Sequence, residues 1–547
     1  MKRTFIYGII LSVLAMMSCV KDLDVTPKDP NTILSGNLNN DPAYLQGFLG
    51  KIYASFIISG QGSAGDDITA PDGNFFTTTR ALWNLQEITT DEAICAWGDA
   101  GIADLNTQTW SPNNPFLTAL YQRLGLSITY ANEFIRATAG NTDPKIVRYN
   151  AEARFLRALA YYYFMDLFGN PPFTTEADQV GTFFPKQLNK DVAKARPMLF
   201  NYITSELHAI ESKLGDPGFQ YPEADKGACW MLLAKLYLNA EVYTNSAKWD
   251  SCKIYTDKVI SSGKYQLATN YRQNFSANNG GDQNPEMIFS WNQDGKYTQG
   301  YVGTTFIIQS SSDAQYLNAI YLHGLSTNPN WNGNRARKDF LNVLVDTLVT
   351  YNGANVPWAS DPFFKQCKDK RVYCRVKKSP DIPSASSSGD YGIGVYKFTA
   401  KNDTLVGNGL FPTGGDLAYA NTDFPIFRYA DAYLMRAEAE YRLGDKAAAA
   451  EDIKVIRRRA YGNNNGDVTA DQVTDKLILD ERGKEFYYEA QRRTDLIRFG
   501  QFTNGTYYWT WKGGVINGTS TDAHLNLFPI PGAETSSNNN IHQNPGY

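Results

Sequence analysis

The side chains able to do acid–base or nucleophilic chemistry in this 547-residue chain fall into none of the spacings that mark a catalytic motif. It has no Gly-x-Ser-x-Gly elbow, no phosphate-cradling glycine loop and no His-Glu-x-x-His pair. The four histidines, His208, His323, His524 and His542, stand far apart, and no cysteine–histidine cluster has zinc spacing. Glu481, Glu485 and Glu489 recur every four residues, which puts them on one face of a helix. Arg482, Arg492, Arg493 and Arg498 surround them, and Glu489 precedes Arg493 by four, the favourable order for a helical ion pair. Such a set reads as charges that orient packed helices. A carboxylate pair for glycoside hydrolysis is recognised by its distance in space, so that class stays open at this stage.

Binding chemistry is better represented. A glycan presents apolar C–H faces and hydroxyl edges, so its site needs flat aromatic rings beside hydrogen-bonding side chains. Three loop stretches offer that combination. Trp97 lies near Asp99 and follows Asp91 and Glu92. Tyr301 sits in Gln299-Gly300-Tyr301-Val302-Gly303, where the glycines leave the ring room, and Trp331 sits in Asn330-Trp331-Asn332-Gly333-Asn334. The competing reading for each ring is packing under its own loop. The stretch Asn278 to Glu286, NNGGDQNPE, carries oxygen ligands suited to calcium, with Asp282 and Glu286 as candidates; a solvated turn has the same composition.

Helices must hold these loops. From Ala151, Phe155, Leu159, Tyr162, Tyr163 and Leu167 recur every three or four residues, with Ala153, Ala158 and Ala160 between them. Gly169, Pro171 and Pro172 stop that helix. Tyr441, Gly444 and Ala449 keep the order of a tetratricopeptide-like helix-turn-helix within Arg428 to Ala460. Further helices are expected at Pro42–Ile58, Pro115–Thr138, Lys145–Phe168, Pro197–Leu214, Ala224–Tyr243, Trp249–Ser261 and Thr474–Arg498. Thr77–Thr90 is expected to be partly extended, with Thr90–Ala93 capping a short helical turn. From Ser262 to Asp423 the helical period weakens, and Met287–Trp291, Thr304–Gln309 and Tyr391–Thr399 read as short β-like runs. The expected fold is mostly α: a tetratricopeptide-like helical-repeat scaffold of about four helix pairs with a large irregular loop and short-strand insertion.

Composition narrows the partners. A net charge of −4 argues against nucleic acid, because phosphate neutralisation needs a basic surface. Arg457-Arg458-Arg459 reads as a solvated helix face. Lys2 and Arg3 precede an apolar run, Phe5 to Met17, too short to span a bilayer and long enough for a signal-peptide core. Ser18-Cys19 at its end resembles a bacterial lipoprotein cleavage box, with Cys19 as the lipidated residue. The five other cysteines are odd in number and irregularly spaced, which is no disulfide framework. Cys229 and Cys252 fall in helical patterns, and a Cys367–Cys374 bridge stays open. The chain therefore divides into a signal peptide (1–18), a lipidated tether (19–40) and one domain (41–547). Within that domain the repeats fall in about 113–262 and 427–462, the insertion in about 263–426, and a C-terminal helix with a packed tail in 474–547.

Several motifs in one order now share a source. The helix from Ala151 to Phe168 and the helix pair Tyr429 to Ala460 are two of them. Asp480-Glu481-Arg482-x-x-Glu485-Phe486-x-x-Glu489, Arg492-Arg493-x-Asp495-Leu496-x-Arg498-Phe499-Gly500, Phe528-Pro529-Ile530-Pro531 and Gln543-Asn544-Pro545-Gly546-Tyr547 complete the set. Together they resemble the SusD/RagB family, outer-membrane glycan-binding lipoproteins of Bacteroidetes, over essentially the whole chain. Thr90-Asp91-Glu92, Asn170-x-Pro172-Phe173 and Trp511-Lys512-Gly513-Gly514-x-x-Asn517-Gly518-Thr519-Ser520 draw the resemblance toward the family's starch-binding member. Val20-Lys21-Asp22-Leu23-Asp24 resembles the tag that sends such lipoproteins to the cell surface.

The resemblance implies an arc of aromatic rings at Tyr301 and Trp331, Arg80 as a polar contact, and Asn332 beside them. Cys95-Ala96-Trp97 departs from the Trp-Ala-Trp of the starch-binding member. Cys95 replaces the first ring, Trp97 stands in for it, and Asp99 substitutes for an amide. It further implies a lipid anchor in the outer membrane and delivery to a SusC-like TonB-dependent transporter, with starch as the first glycan and fructan or xylan as alternatives. Two rival classes remain: a surface glycoside hydrolase, and a tetratricopeptide-type adaptor for peptides.

Overall fold

The computed structural model describes residues 41–60, 67–70, 76–178, 181, 184–313, 324–325, 330–345, 367–386, 388–402 and 418–547. Cys19, the signal stretch and the tether lie outside these residues, as does the side chain of Asp282. The chain divides into two compact units, residues 1–49 and 50–547. Asp41 accepts a hydrogen bond from the Ala43 N–H (2.8 Å) and opens helix α1 (Pro42–Ala54).

The second unit is built on α2 (Thr78–Trp83), α3 (Pro115–Ala137), α4 (Pro144–Leu167), α5 (Val192–Ile210), α6 (Lys226–Leu238) and α7 (Trp249–Ser261). These are followed by α8 (Gly303–Ser311), α9 (Tyr429–Arg442), α10 (Lys446–Tyr461), α11 (Asp475–Phe486) and α12 (Arg492–Arg498). Helices α3 and α4, α4 and α5, α6 and α7, α7 and α9, and α9 and α10 pack as successive neighbours, so the scaffold is a tetratricopeptide-like helical repeat. The direct α7–α9 contact closes the stack even though residues 262–428 are inserted between them.

Local chemistry explains the starts. Asn114 and Asp143 accept from the N–H groups of Phe116 and Lys145, and each is followed by a proline at the first helical position. Asp225, Asp445 and Thr474 cap α6, α10 and α11 in the same manner. Leu434, Ala437, Ala449, Ile453, Ile456 and Ile478 form one apolar seam between α9, α10 and α11. Each fully buried leucine or isoleucine there contributes roughly 1.5–3 kcal/mol of transfer free energy.

The strands among the described residues are β1 (Ala93–Cys95), β2 (Pro172–Phe173), β3 (Lys186–Gln187), β4 (Met287–Trp291), β5 (Asn334–Ala336), β6 (Cys374–Val376), β7 (Ile393–Val395) and β8 (Phe424–Arg428). An antiparallel sheet in the order β1-β5-β7-β6 joins the insertion to the segment that follows α2. Strands β4 and β8 pair across the ends of the insertion and close it.

Several expected elements change. Thr77–Thr90 is helical, as α2 followed by a π-helical turn, Asn84–Ile88. Its β-branched residues are all buried, and Thr78 and Thr79 donate to the carbonyls of Ser55 and Phe56, so tertiary contact overrides strand propensity. Thr90–Ala93 leads into strand β1, not a helical turn. Thr304–Gln309 is the interior of α8, with every residue of that helix buried. Helix α5 begins at Val192 and carries Pro197 inside it, five residues earlier than the proline suggests. The single helix expected over Thr474–Arg498 is two, α11 and α12, broken where Tyr488 (φ 65°) and Ala490 (φ 58°) adopt left-handed backbone. Cys95, Cys229, Cys252, Cys367 and Cys374 are all buried.

Candidate functional site

Three of the loop aromatics picked from the sequence meet at one place, and the sheet register explains it. Cys95 lies opposite Asn334 across β1 and β5, and the Ala96 N–H donates to the Gly333 carbonyl at 2.9 Å. The chain on either side of this pair therefore carries Trp97 and Trp331 out from the same end of the sheet. The Trp97 indole N–H donates to the Trp331 carbonyl (3.0 Å), and the two ring centroids stand 6.2 Å apart, tilted by 58°. Gly333 permits this, because a Cβ there would come within 2.3 Å of the Trp97 ring.

Helix α8 is the post for the other side. The N–H groups of Trp331, Asn332 and Gly333 donate to the carbonyls of Gln309 (3.1 Å), Ser312 (2.8 Å) and Ser310 (2.8 Å) at its C-terminal end. Tyr301 stands immediately before its N-terminal end, between Gly300 and a Gly303 at φ +57°. The Tyr301 ring lies 5.6 Å from Trp331 at 62°, and Tyr419 lies 5.3 Å beyond it at 55°. Trp97, Trp331, Tyr301 and Tyr419 are each partly exposed, a row of rings with open surface in place of four buried ones.

The remaining expected contacts fall differently. Arg80 is 5% exposed on α2, its guanidinium carbon 4.4 Å from the Phe306 centroid and 5.8 Å from Trp97, so it supports the row from beneath. Asn332 is committed at both ends of its amide: Lys377 donates to Oδ1 (2.6 Å), and Nδ2 donates to Asp390 (3.2 Å). It therefore holds the Trp331 loop. Asp99 is exposed in the turn after Trp97, where its carbonyl accepts from the Ile102 N–H. Cys95 is fully buried in β1, and burial pushes its thiol up to about 11. Cys95 thus belongs to the sheet and not to the exposed row.

Sequence reasoning missed Tyr419, Phe306 and Lys377. The first follows a polar run with no helical or alternating period, and the other two act through contacts made far along the chain. Nothing in Leu417-Ala418-Tyr419-Ala420-Asn421, a single ring between two alanines, marked Tyr419.

Behind the row lies a dry polar layer. Arg337 follows β5 and donates to the carbonyls of Ile88, Thr90, Ala93, Asn106 and Thr510. Glu87 and Glu92 are hydrogen-bonded to each other and buried. Burial pushes Glu87 up to about 7, and burial raises Glu92 well above the usual carboxylate range, where the Glu87 carboxyl adds to the effect. Glu92 accepts from the Tyr488 N–H and Glu87 from the Gln491 N–H, which bends the chain between α11 and α12.

Glu481 and Glu485 share a face of α11, whereas Glu489 lies beyond its end in the break before α12, and all three are occupied by cations. Glu481 meets Arg371 and Arg457; Glu485 meets Arg371, Arg428 and Arg459; Glu489 meets Arg428 and Lys397. The expected Glu489–Arg493 pair is replaced: Arg493 donates to the carbonyls of Leu525 and Asn526. Of the arginine run, Arg457 and Arg459 turn inward and Arg458 alone stays exposed, paired with a half-buried Asp467. Glu286 has one oxygen on Arg428 and the other on Arg459, so it is not available to calcium. Among the described residues no group of three or more acidic, histidine or cysteine side chains is placed to hold a metal. No described helix is long and apolar enough to cross a membrane.

Residues 237–547 match the SusD family model. The starch-binding protein SusD of Bacteroides thetaiotaomicron is 35% identical over 97% of this chain and 96% of its own. SusD-like protein P25 of Formosa agariphila is 23% identical over 79% of this chain and 78% of its own. Among solved structures, the surface glycan-binding protein A of Bacteroides fluxus superposes with a TM-score of 0.67 at 21% identity, covering 92% of this chain and 99% of that one. The surface glycan-binding protein A of Bacteroides thetaiotaomicron, solved with laminarihexaose, gives 0.65 at 17% identity over 92% of this chain and 99% of its own.

Proposed function

This chain belongs to the SusD family of non-catalytic glycan-binding proteins, and from that premise we propose that it captures starch-type α-glucan. The observation that carries the proposal is the row Trp97–Trp331–Tyr301, gathered from three distant stretches with its rings left partly open. Neighbouring planes in the row are turned by 58° and 62°. A flat, ribbon-like chain cannot lie face-on to two such neighbours, whereas a chain that coils from unit to unit can. The 35% identity with a starch-binding protein supports the same glycan. Laminarihexaose in the 17% identical neighbour is a property of that protein, at a likeness that speaks for fold alone.

The affinity suits capture and release. Each aromatic contact contributes roughly 0.5–1.5 kcal/mol beyond area burial, and a millimolar complex needs about 4 kcal/mol. Repeated units of a polymer then add avidity. In this reading Cys19 anchors the protein in the outer membrane, facing outward, and the bound glycan passes to a SusC-like TonB-dependent transporter.

Titration calorimetry against amylopectin, inulin-type fructan and xylan tests the glycan. Heat with amylopectin alone, with no reducing ends released on incubation, is the expected result. Binding to fructan or xylan without amylopectin would redirect the proposal.

A further inference from the structure

We infer that the sugar-binding row continues past Tyr301 through Tyr419 to Tyr297 and Lys296, adding a further pyranose-binding position at that end. The inference rests on the glycan-binding reading above. Tyr419 repeats the geometry of the row: 5.3 Å and 55° from Tyr301, beside 5.6 Å and 62° for the next step and 6.2 Å and 58° for the last.

The backbone carrying Tyr419 is fixed to both neighbours. The Ala420 N–H donates to Thr305 Oγ1 (2.8 Å) and Thr304 Oγ1 donates to the Thr422 carbonyl (2.5 Å), which ties it to α8. The Gly295 N–H donates to Asn421 Oδ1 (2.7 Å), and Asp423 accepts from the Gln293 N–H (2.7 Å) and Asn292 Nδ2 (2.9 Å). Those bonds tie the 292–298 turn to the same segment. Within that turn Asp294 accepts from the N–H groups of Lys296 and Tyr297 (2.7 and 3.0 Å).

A rigid turn thus presents Tyr297 at 76% exposure, the highest of the large exposed apolar side chains described. Lys296 places its ammonium 5.0 Å from that ring centroid. A flat face beside a strong donor is the pairing that a sugar's C–H face and hydroxyl edge require. Packing gives no reason to hold an aromatic ring so far into water on so fixed a turn.

The test is calorimetry with linear malto-oligosaccharides from maltotriose to maltooctaose on the full chain, its Tyr419→Ala, Tyr297→Ala and Trp331→Ala variants, and Tyr419→Phe as the control that keeps the ring. The inference expects wild-type affinity to climb with length to a plateau. Tyr419→Ala and Tyr297→Ala should stop climbing at a shorter oligosaccharide, losing about two- to twelve-fold on the longest and nothing on maltotriose. Tyr419→Phe should follow wild type, and Trp331→Ala should weaken every length. Wild-type length profiles in Tyr297→Ala, whose exposed ring has no part in folding, and in Tyr419→Ala overturn the extension and leave the row itself standing. No binding of any oligosaccharide by the wild type overturns the starch reading and the extension together.

Discussion

Gly333 decides how closely Trp97 lies against the chain leading into β5. Its missing Cβ is the space the indole occupies. Gly333→Ala puts a methyl 2.3 Å from a rigid ring, so Trp97 must leave its place in the row. Calorimetry with maltoheptaose should show a loss of about two- to twelve-fold, the worth of one aromatic contact, in protein that still melts cooperatively. Unchanged affinity would show that Trp97 contributes nothing.

Titration is also a residue-scale property. Glu87 is held at about 7 by burial, against 4.5 when free. The folded state therefore binds the extra proton, and its stabilising effect, complete below pH 4.5, is lost as pH rises through 7. Glu152 and Glu440, also raised to about 7, act in the same direction. Asp495 runs the other way. Arg482 and Arg498 overcome its burial and hold it at about 2, so its contribution is present above 3.8 and lost as pH falls toward 2. Denaturant melts across pH should show Glu87→Gln flattening part of the fall between pH 4.5 and 7, and Asp495→Asn flattening the acid side. Parallel curves for all three proteins would contradict both assignments.

At the scale of elements, one guanidinium locks the row's foundation. Arg337 satisfies five carbonyls that come from the π-helical turn (Ile88), the bend after it (Thr90), β1 (Ala93), the short helix Ile102–Thr107 (Asn106) and the distant turn at Thr510. Lysine keeps the charge but not the planar fork. Arg337→Lys should cost on the order of 3 kcal/mol, since each buried carbonyl left unpaired costs about 1–3 kcal/mol. A thermal melt unchanged from wild type would refute the role.

The elements that the sequence revealed are those whose ends are set locally. α3, α4 and α7 lie within a residue or so of expectation, the first two because Asn114-Pro115 and Asp143-Pro144 mark their starts. Thr304–Gln309 misled because a buried helix has no polar face, and its β-branched residues mimic a strand. The break between α11 and α12 was invisible because Glu87 and Glu92 impose it from some four hundred positions away. Trp97, Tyr301 and Trp331 were legible as rings in glycine-bearing loops, but their meeting depends on the β1–β5 register and on α8. Tyr419 stood in a stretch without any period.

Across the whole molecule, the inserted segment is fastened to the helical stack by charge. Glu286, Arg371 and Lys397 belong to residues 262–428, and their partners Arg459, Glu481, Glu485 and Glu489 lie beyond it. Desolvated charges of this kind are stabilising only as a complete set, which fixes one placement of the insertion. The stack supplies rigidity, and the insertion supplies Tyr301, Trp331 and Tyr419 to meet Trp97. The anchor belongs to this scale as well. Cys19→Ser should move the protein from the membrane fraction to the soluble fraction of cells; retention in the membrane would remove the lipid anchor from the account.

Affinity electrophoresis in native gels cast with amylopectin reads the row directly, because each ring lost weakens retardation without any need to know the oligosaccharide length bound. Wild type should be strongly retarded, and the Trp331→Ala/Tyr301→Ala double variant should run as it does in a gel without polysaccharide. Equal retardation of the two proteins would contradict the claim that these rings hold the glycan.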